Sequence, residues 1–356
     1  MKLLYDARYI RTDFHDGVSR YSTELGNALA KITDVTFLIS NPAQLQFLPK
    51  KAKYELIHSP TSFKEPFTAL ILNKLAPDVV FSPMQTMGTL GRKYKQILTT
   101  HDTLYYRHPT PPTNTNIGPL LKIGWRLYHA TYIPERLALN SADHVVTVSH
   151  TVKQELLDAK LTKRPITVVL NAPQKFHSHK VVHDGVAKNI VFMGAFIPYK
   201  NAETLIKAMK WLPGRTLHLL SKITPARRKE LTTLIPNGAD VRFYGGVTDD
   251  EYEALLANNA ILASASLEEG YGLPVAEALA FEVPAVISDT PIFHEVAGNG
   301  ALYFDPTQPK QFADRVKQLD DPVVMQRLIA EGKKHISTYS WDTSAKTLLG
   351  AIKSIL

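Results

Sequence analysis

Residues Leu267 to Ala280 read LEEGYGLPVAEALA. Glu269 and Glu277 bracket Gly270, Tyr271, Gly272 and Leu273 before Pro274 opens a run of helical character. In one continuous helix this spacing would put the two carboxylates roughly on one face. Gly270 and Gly272 are costly inside a helix, whereas Pro274 suits its first turn. The expectation is therefore a loop carrying Glu269, followed by a helix from near Pro274 to Ala280 with Glu277 in its first turn. Such a loop permits close ligand approach, and the helix amino terminus offers N–H groups and partial positive charge suited to a diphosphate. The plainer alternative makes Glu277 a complement to the helix dipole and Glu269 a solvated side chain.

Working outward, short β-branched runs alternate with helical patterns on both sides of this segment. One series comprises residues 35–39, 78–81, 97–100 and 144–148; a second comprises 189–193, 215–220, 241–244, 260–263 and 284–287. Alternation of this kind predicts βαβ units and parallel sheets. A chain of 356 residues exceeds what one core usually supports. The polar, aperiodic stretch from Asn171 to Asn189 is the natural linker between the two series. The fold class expected is α/β, with two Rossmann-like doubly wound domains facing across a cleft. Their bounds are 1–171 and 172–339, and a closing helix over 340–356 packs back on the amino-terminal domain. Ligands of open α/β sheets sit outside the carboxyl ends of the strands, so functional motifs should follow strands.

Composition narrows the function classes. Hydrophobic residues make up 44% and charged residues 21%, a globular balance. The chain has no cysteine, which removes disulfides, thiolate nucleophiles and thiolate metal sites and suits a reducing compartment. The amino terminus meets Asp6 and Arg8 before any apolar run long enough for a signal peptide, so a cytoplasmic location is expected. A formal charge of +8 suggests anionic partners, but neither zinc-finger spacing nor an aromatic-basic RNA-binding pattern is present, and nucleic acid is not expected. His101, His129, His144 and His150 lack the spacing of zinc motifs, and no Asp-x-Asp triplet is present, so no metal is expected. The first strand leads into Tyr5-Asp6-Ala7-Arg8 rather than G-x-G-x-x-G, and neither a P-loop nor a G-x-S-x-G elbow occurs. Hydride transfer, Walker-type NTP hydrolysis and serine ester hydrolysis are disfavoured on those grounds.

EEGYGLPVAEALA with the following PAVISDTPIFHEVAGNGALYFDP resembles the glutamate-x7-glutamate signature of glycosyltransferase family 4, retaining enzymes of the GT-B fold. The resemblance extends along nearly the whole chain. Asp16-Gly17-Val18-Ser19-Arg20-Tyr21 resembles the glycine loop beside the donor phosphates, and His101-Asp102 the histidine that contacts the sugar. Phe192 to Asn201, with Gly194 and Lys200, is similar to the segment that holds the diphosphate, and Trp341 matches the start of the closing helix.

The resemblance implies a role for each matched residue. Glu269 contacts the donor sugar, Glu277 the ribose hydroxyls, Lys200 the departing diphosphate and His101 the sugar. Gly17, Arg20, Gly194, Asn201, Gly270, Tyr271, Gly272 and Leu273 then line the donor site. Members most like this chain build bacterial polysaccharides, often as mannosyl or rhamnosyl transferases. The implied partners are a nucleoside diphosphate sugar such as GDP-mannose and a glycan or lipid-linked acceptor held by the first domain, with no cofactor. Three positions depart from the pattern: Ala195 stands where many members carry arginine, Tyr199 rather than a basic residue precedes Lys200, and Ser221 replaces a glycine, which leaves the base contacts there open. Two other classes remain: a non-catalytic binding or assembly protein, and a sugar-nucleotide hydrolase or phosphorylase.

From Ile117, the apolar residues Leu120, Leu121, Trp125 and Tyr128 follow a helical period beside the basic Lys122, Arg126 and His129. Packing of the apolar face on its own domain is the favoured reading. The alternative is peripheral contact with an anionic membrane, on its inner face.

Overall fold

The structure, a computed structural model, describes residues 1–13, 16–108, 124–125, 127–128, 130–176 and 178–356. The chain divides into two compact units, one of Met1–Asn171 with Tyr339–Leu356 and the other of Ala172–Thr338.

The first unit holds seven strands: β1 (Leu3–Asp6), β2 (Val35–Ile39), β3 (Lys53–Leu56), β4 (Val79–Ser82), β5 (Lys95–Thr100), β6 (His144–Thr147) and β7 (Ile166–Val168). They lie in the order β3-β2-β1-β4-β5-β6-β7, every neighbouring pair parallel. The second unit holds six: β8 (Asn189–Phe192), β9 (Thr216–Leu219), β10 (Asp240–Phe243), β11 (Ala260–Ser264), β12 (Ala285–Ser288) and β13 (Ala301–Phe304). Their order is β10-β9-β8-β11-β12-β13, again all parallel. Each sheet is thus doubly wound. The order reverses between β1 and β4 in one unit and between β8 and β11 in the other.

Central strands such as β1 (LLYD), β4 (VVFS) and β12 (AVIS) are buried throughout, because helices cover both faces of a parallel sheet and leave no polar side to expose. The edge strand β3, KYEL, is exposed at all four positions. Phe192, Leu205, Leu217, Ile261, Phe304 and Phe312 join in one buried cluster in the second unit. Leu4, Leu38, Val80 and Leu98 form another in the first, under Ala69 and Leu72 of the helix Thr68–Leu72.

The closing helix Trp341–Lys353 belongs to the first unit. Ser340 caps it by accepting from the Thr343 amide, and Ser344 Oγ donates to the Leu170 carbonyl at 2.5 Å. Trp341 meets Tyr21 edge-on at 6.0 Å between ring centroids. Among the described residues no helix is long and apolar enough to cross a membrane. Of the basic stripe, Lys122, Arg126 and His129 lie outside the described residues.

The segment that opened the sequence analysis forms its helix over Leu273–Ala280, with Pro274 in the first turn and Gly272 as the cap at φ 93°. A β-carbon at Gly272 would fall 2.7 Å from Phe293 Cε1, and Phe293 is completely buried. Gly272 is therefore required both by its left-handed backbone and by contact with a ring that cannot withdraw into solvent. Gly272→Ala should lower stability by about 1–3 kcal/mol, read as a fall in the urea midpoint. An unchanged midpoint would mean that Phe293 and the loop accommodate a methyl group without strain.

Candidate active site

In the second unit the loops that leave β8 and β11 diverge at the reversal of strand order, the place where open α/β sheets leave room for a ligand. After β8 the chain runs through Gly194 to a 3₁₀ turn, Pro198–Lys200, and then Asn201, which is left-handed at φ 51° and precedes the helix Ala202–Ala208. After β11 it passes Ser266 to Glu269. Lys200 Nζ lies 2.5 Å from Glu269 Oε1, and the two side chains are only 19% and 13% exposed. Ser266 Oγ donates to the same carboxylate oxygen at 3.0 Å. The Leu267 amide donates to the Tyr199 carbonyl at 2.8 Å, and the Lys200 ammonium stands 5.7 Å from the centroid of the Tyr199 ring. A half-buried ion pair with an added hydroxyl donor is strongly oriented, because low local polarity strengthens it and disfavours either partner alone.

Asn201 serves this geometry from behind. Its Nδ2 donates to the Ala265 carbonyl at 3.1 Å and to the Pro306 carbonyl at 2.8 Å, while its Oδ1 accepts from Thr204 Oγ1 at 3.0 Å. One amide thereby ties together the loops after β8, β11 and β13. The Gly194 amide donates to Ser221 Oγ at 3.1 Å, so the replacement noted in the sequence becomes a contact between the loops after β8 and β9. Gly270, Tyr271 and Gly272 are buried, and Leu273 is half-buried.

Glu277 is 4% exposed and is the fifth residue of its helix, with no acid in the first turn. This corrects the first-turn expectation: Gly272 ends the loop, Leu273 starts the helix, and Glu277 is carried into the second turn. Glu277 is thus a buried side chain rather than a solvated one.

In the first unit the segment expected as a glycine loop is instead a helix start, because Asp16 caps Gly17–Ala30 by accepting from the Ser19 amide at 2.8 Å. Gly17 is the exposed first helical residue, and Arg20 is half-buried one turn on. His101 follows β5, with its ring edge-on to Tyr21 at 4.9 Å. Its Nε2 lies 2.7 Å from the Pro83 carbonyl, just past β4. A carbonyl can only accept, so Nε2 carries the proton and Nδ1 keeps a lone pair. Burial pushes the His101 pKa down to about 4, against the opposing pulls of the Pro83 carbonyl and Asp16. The ring is neutral at pH 7 and suited to accept a hydroxyl hydrogen at Nδ1.

The sequence reading did not anticipate the cluster at the first unit's own reversal point. Arg8 places Nε on Asp6 Oδ1 at 2.8 Å, Nη2 on Asp6 Oδ2 and Glu65 Oε1 at 2.9 Å each, and Nη1 on Glu65 Oε2 at 2.7 Å. All three residues are buried. Burial alone would lower the Arg8 pKa, but the two carboxylates hold it far above its ordinary value. The only sequence signal is an acid at the end of a buried strand with a base just after it, Asp6-Ala7-Arg8; Glu65 is distant in the chain. With every guanidinium nitrogen engaged, this arginine braces the loops and does not present a phosphate site.

Two family models match the chain in succession: Glycosyltransferase Family 4 over residues 15–172 and Glycosyl transferases group 1 over residues 173–335. The chain belongs to glycosyltransferase family 4. This family 4 glycosyltransferase is 25% identical over 347 residues to O-antigen chain mannosyltransferase RfbU of Salmonella typhimurium, covering 94% of each chain. It is 28% identical over 171 residues to O-antigen chain mannosyltransferase B of Escherichia coli, covering 46% of this chain and 45% of that one. Among solved structures, Anabaena HepE in complex with UDP and glucose superposes with a TM-score of 0.74 at 16% identity, covering 99% of this chain and 100% of that one. The fold of this family 4 glycosyltransferase is GT-B. Membership implies a nucleotide-sugar donor and a glycan acceptor, and separates the chain from the dinucleotide, P-loop and serine-hydrolase classes.

The His101 environment has a measurable consequence. Unfolded, the ring titrates near its ordinary value of about 6.5. Between pH about 4 and 6.5 the folded enzyme thus binds fewer protons than the unfolded chain and loses stability as pH falls, by up to about 1.4 kcal/mol per pH unit. Replacing His101 with Gln, which cannot titrate, should remove that part of the slope when urea stability is followed from pH 7 to 4.5. Identical slopes for the two proteins would mean that His101 protonates in the folded state without cost.

Proposed function

We propose that this family 4 glycosyltransferase moves a mannosyl residue, with retention of configuration, from a GDP-mannose-like donor to a glycan or lipid-linked acceptor in bacterial polysaccharide assembly. The observation that carries the reading is the Lys200–Glu269 pair at the point where the second sheet reverses its strand order. The mannosyltransferase of Salmonella typhimurium that this chain matches over 94% of its length supports mannose.

In this reading the pair is the resting state of the site. An arriving diphosphate carries more negative charge than one carboxylate and draws the Lys200 ammonium to itself, where it offsets the charge that develops as the glycosidic bond breaks. A compact ammonium can do this without a divalent ion, and turnover is expected to persist in EDTA. Glu269, released from Lys200 and still held by Ser266, turns to the donor sugar. Glu277 receives the ribose hydroxyls, and His101 takes a sugar hydroxyl at Nδ1. Gly194, Gly270, Tyr271, Gly272 and Leu273 shape the donor site, while Asn201 holds the β8 and β11 loops in register. In the first unit, Gly17 and Arg20 at the start of their helix are the residues assigned to the donor phosphates. With no side chain assigned as a covalent nucleophile, rate would come from stabilising the leaving group and orienting the acceptor.

Glu269→Gln separates these roles. It should lower kcat with GDP-mannose by about 10²–10³-fold, because a contact to the sugar at the reaction centre is weakened. It should also leave GDP affinity equal or tighter, because Lys200 no longer has a competing carboxylate. Loss of both in parallel would make the pair a structural brace and remove Glu269 from the mechanism. Mannose release that does not require an acceptor would favour the hydrolase reading instead, and a wild type that binds no nucleoside diphosphate would favour the non-catalytic one.

A further inference from the structure

At the carboxyl edge of the second unit, two of the basic side chains, Lys200 and Arg227, are engaged with carboxylates. Lys200 is paired with Glu269. Arg227 gives Nε to the Phe196 carbonyl at 3.0 Å, and its terminal nitrogens to Glu203 and, at 2.7 Å, to Glu230. The Gly194 amide, two residues past the end of β8, is taken by Ser221 Oγ at 3.1 Å. Ser221 itself is bonded asymmetrically. Its oxygen accepts from a backbone amide, a good bond, but its own hydrogen is directed at the Met193 thioether sulfur, 3.5 Å away. A thioether is among the weakest acceptors in a protein, whereas an ionised phosphate oxygen is among the strongest. Ser221 is a half-buried residue just past the end of β9 and beside the β8 loop, with its hydroxyl held in place by the Gly194 amide.

We propose that Ser221 is a ligand of the donor diphosphate. The Gly194 amide fixes the oxygen, and the hydroxyl hydrogen swings from Met193 Sδ to a phosphate oxygen when the donor enters. The exchange replaces a weak bond with a charge-assisted one and leaves the Gly194 bond intact, so the loop need not be rebuilt. Ser221 would then supply an uncharged donor beside Lys200 and Arg227, which already face carboxylates. The inference rests on the second unit being the nucleotide-sugar site.

The test compares wild type, Ser221→Ala and Ser221→Thr by calorimetric titration with GDP and UDP and by competition with guanosine and uridine, alongside melting of the ligand-free proteins. Ser221→Ala should weaken the nucleoside diphosphate that wild type prefers by about tenfold or more, with nucleoside affinity nearly unchanged. Ser221→Thr, which keeps the hydroxyl, should restore most of the loss. Equal weakening of diphosphate and nucleoside would overturn the proposal and make Ser221 a loop latch. So would a lower melting temperature in Ser221→Ala with diphosphate affinity intact. A wild type that binds neither GDP nor UDP would remove the donor site itself, an outcome distinct from wild-type binding that ignores Ser221.

Discussion

A parallel sheet whose strand order reverses cannot cover its own carboxyl edge. At the reversal the two adjacent strands send their connections to opposite faces, and a gap lined by loop backbone and helix amino termini opens between them. This constraint acts in both units, between β1 and β4 and between β8 and β11. In the second unit Gly194, Lys200, Asn201 and Glu269 sit on the loops beside that gap, with Ser221 reaching Gly194 from the neighbouring β9 loop. The rest of the unit keeps those loops apart and rigid.

The two units meet the constraint differently. In the first, the gap end of β1 carries Arg8 locked between Asp6 and Glu65, an arrangement with no bonding capacity left for an anion. In the second, the basic group is a lysine with one carboxylate partner and a flexible stem, so its charge can be transferred to a stronger anion without stranding a guanidinium in the interior. The same physics of pairing buried charges therefore yields a brace in one unit and an exchangeable pair in the other. Asn201 makes the exchange compatible with stability, because its amide satisfies carbonyls from two neighbouring loops whether or not Lys200 stays with Glu269.

Much of this was legible in the chain. Central strands such as residues 35–39, 144–147, 189–192 and 260–264 announce themselves because burial on both faces demands an unbroken apolar run. Three of the four edge strands, β3, β7 and β13, escaped notice while the fourth, β10, was read; β3 is the clearest case, because an edge strand need satisfy only one neighbour and tolerates Lys53 and Glu55. Gly272, Pro274 and the helix after them were readable because backbone conformation is set locally. The turn on which Glu277 falls was not: one residue of difference in the helix start moves a side chain by about 100° around the axis.

By itself the sequence determined the βαβ alternation, the family signature around Glu269 and Glu277 and the identity of Lys200 and His101 as residues worth following, because periodicity, glycine and proline act over a few residues. Only the tertiary structure decided which partners those residues have. Lys200 meets Glu269, Ser221 holds Gly194, Arg8 reaches Glu65 and His101 donates its Nε2–H to the Pro83 carbonyl. Each of these contacts joins loops from different strands, and its chemistry depends on burial and distance, which arise only when the sheet brings distant segments to one edge.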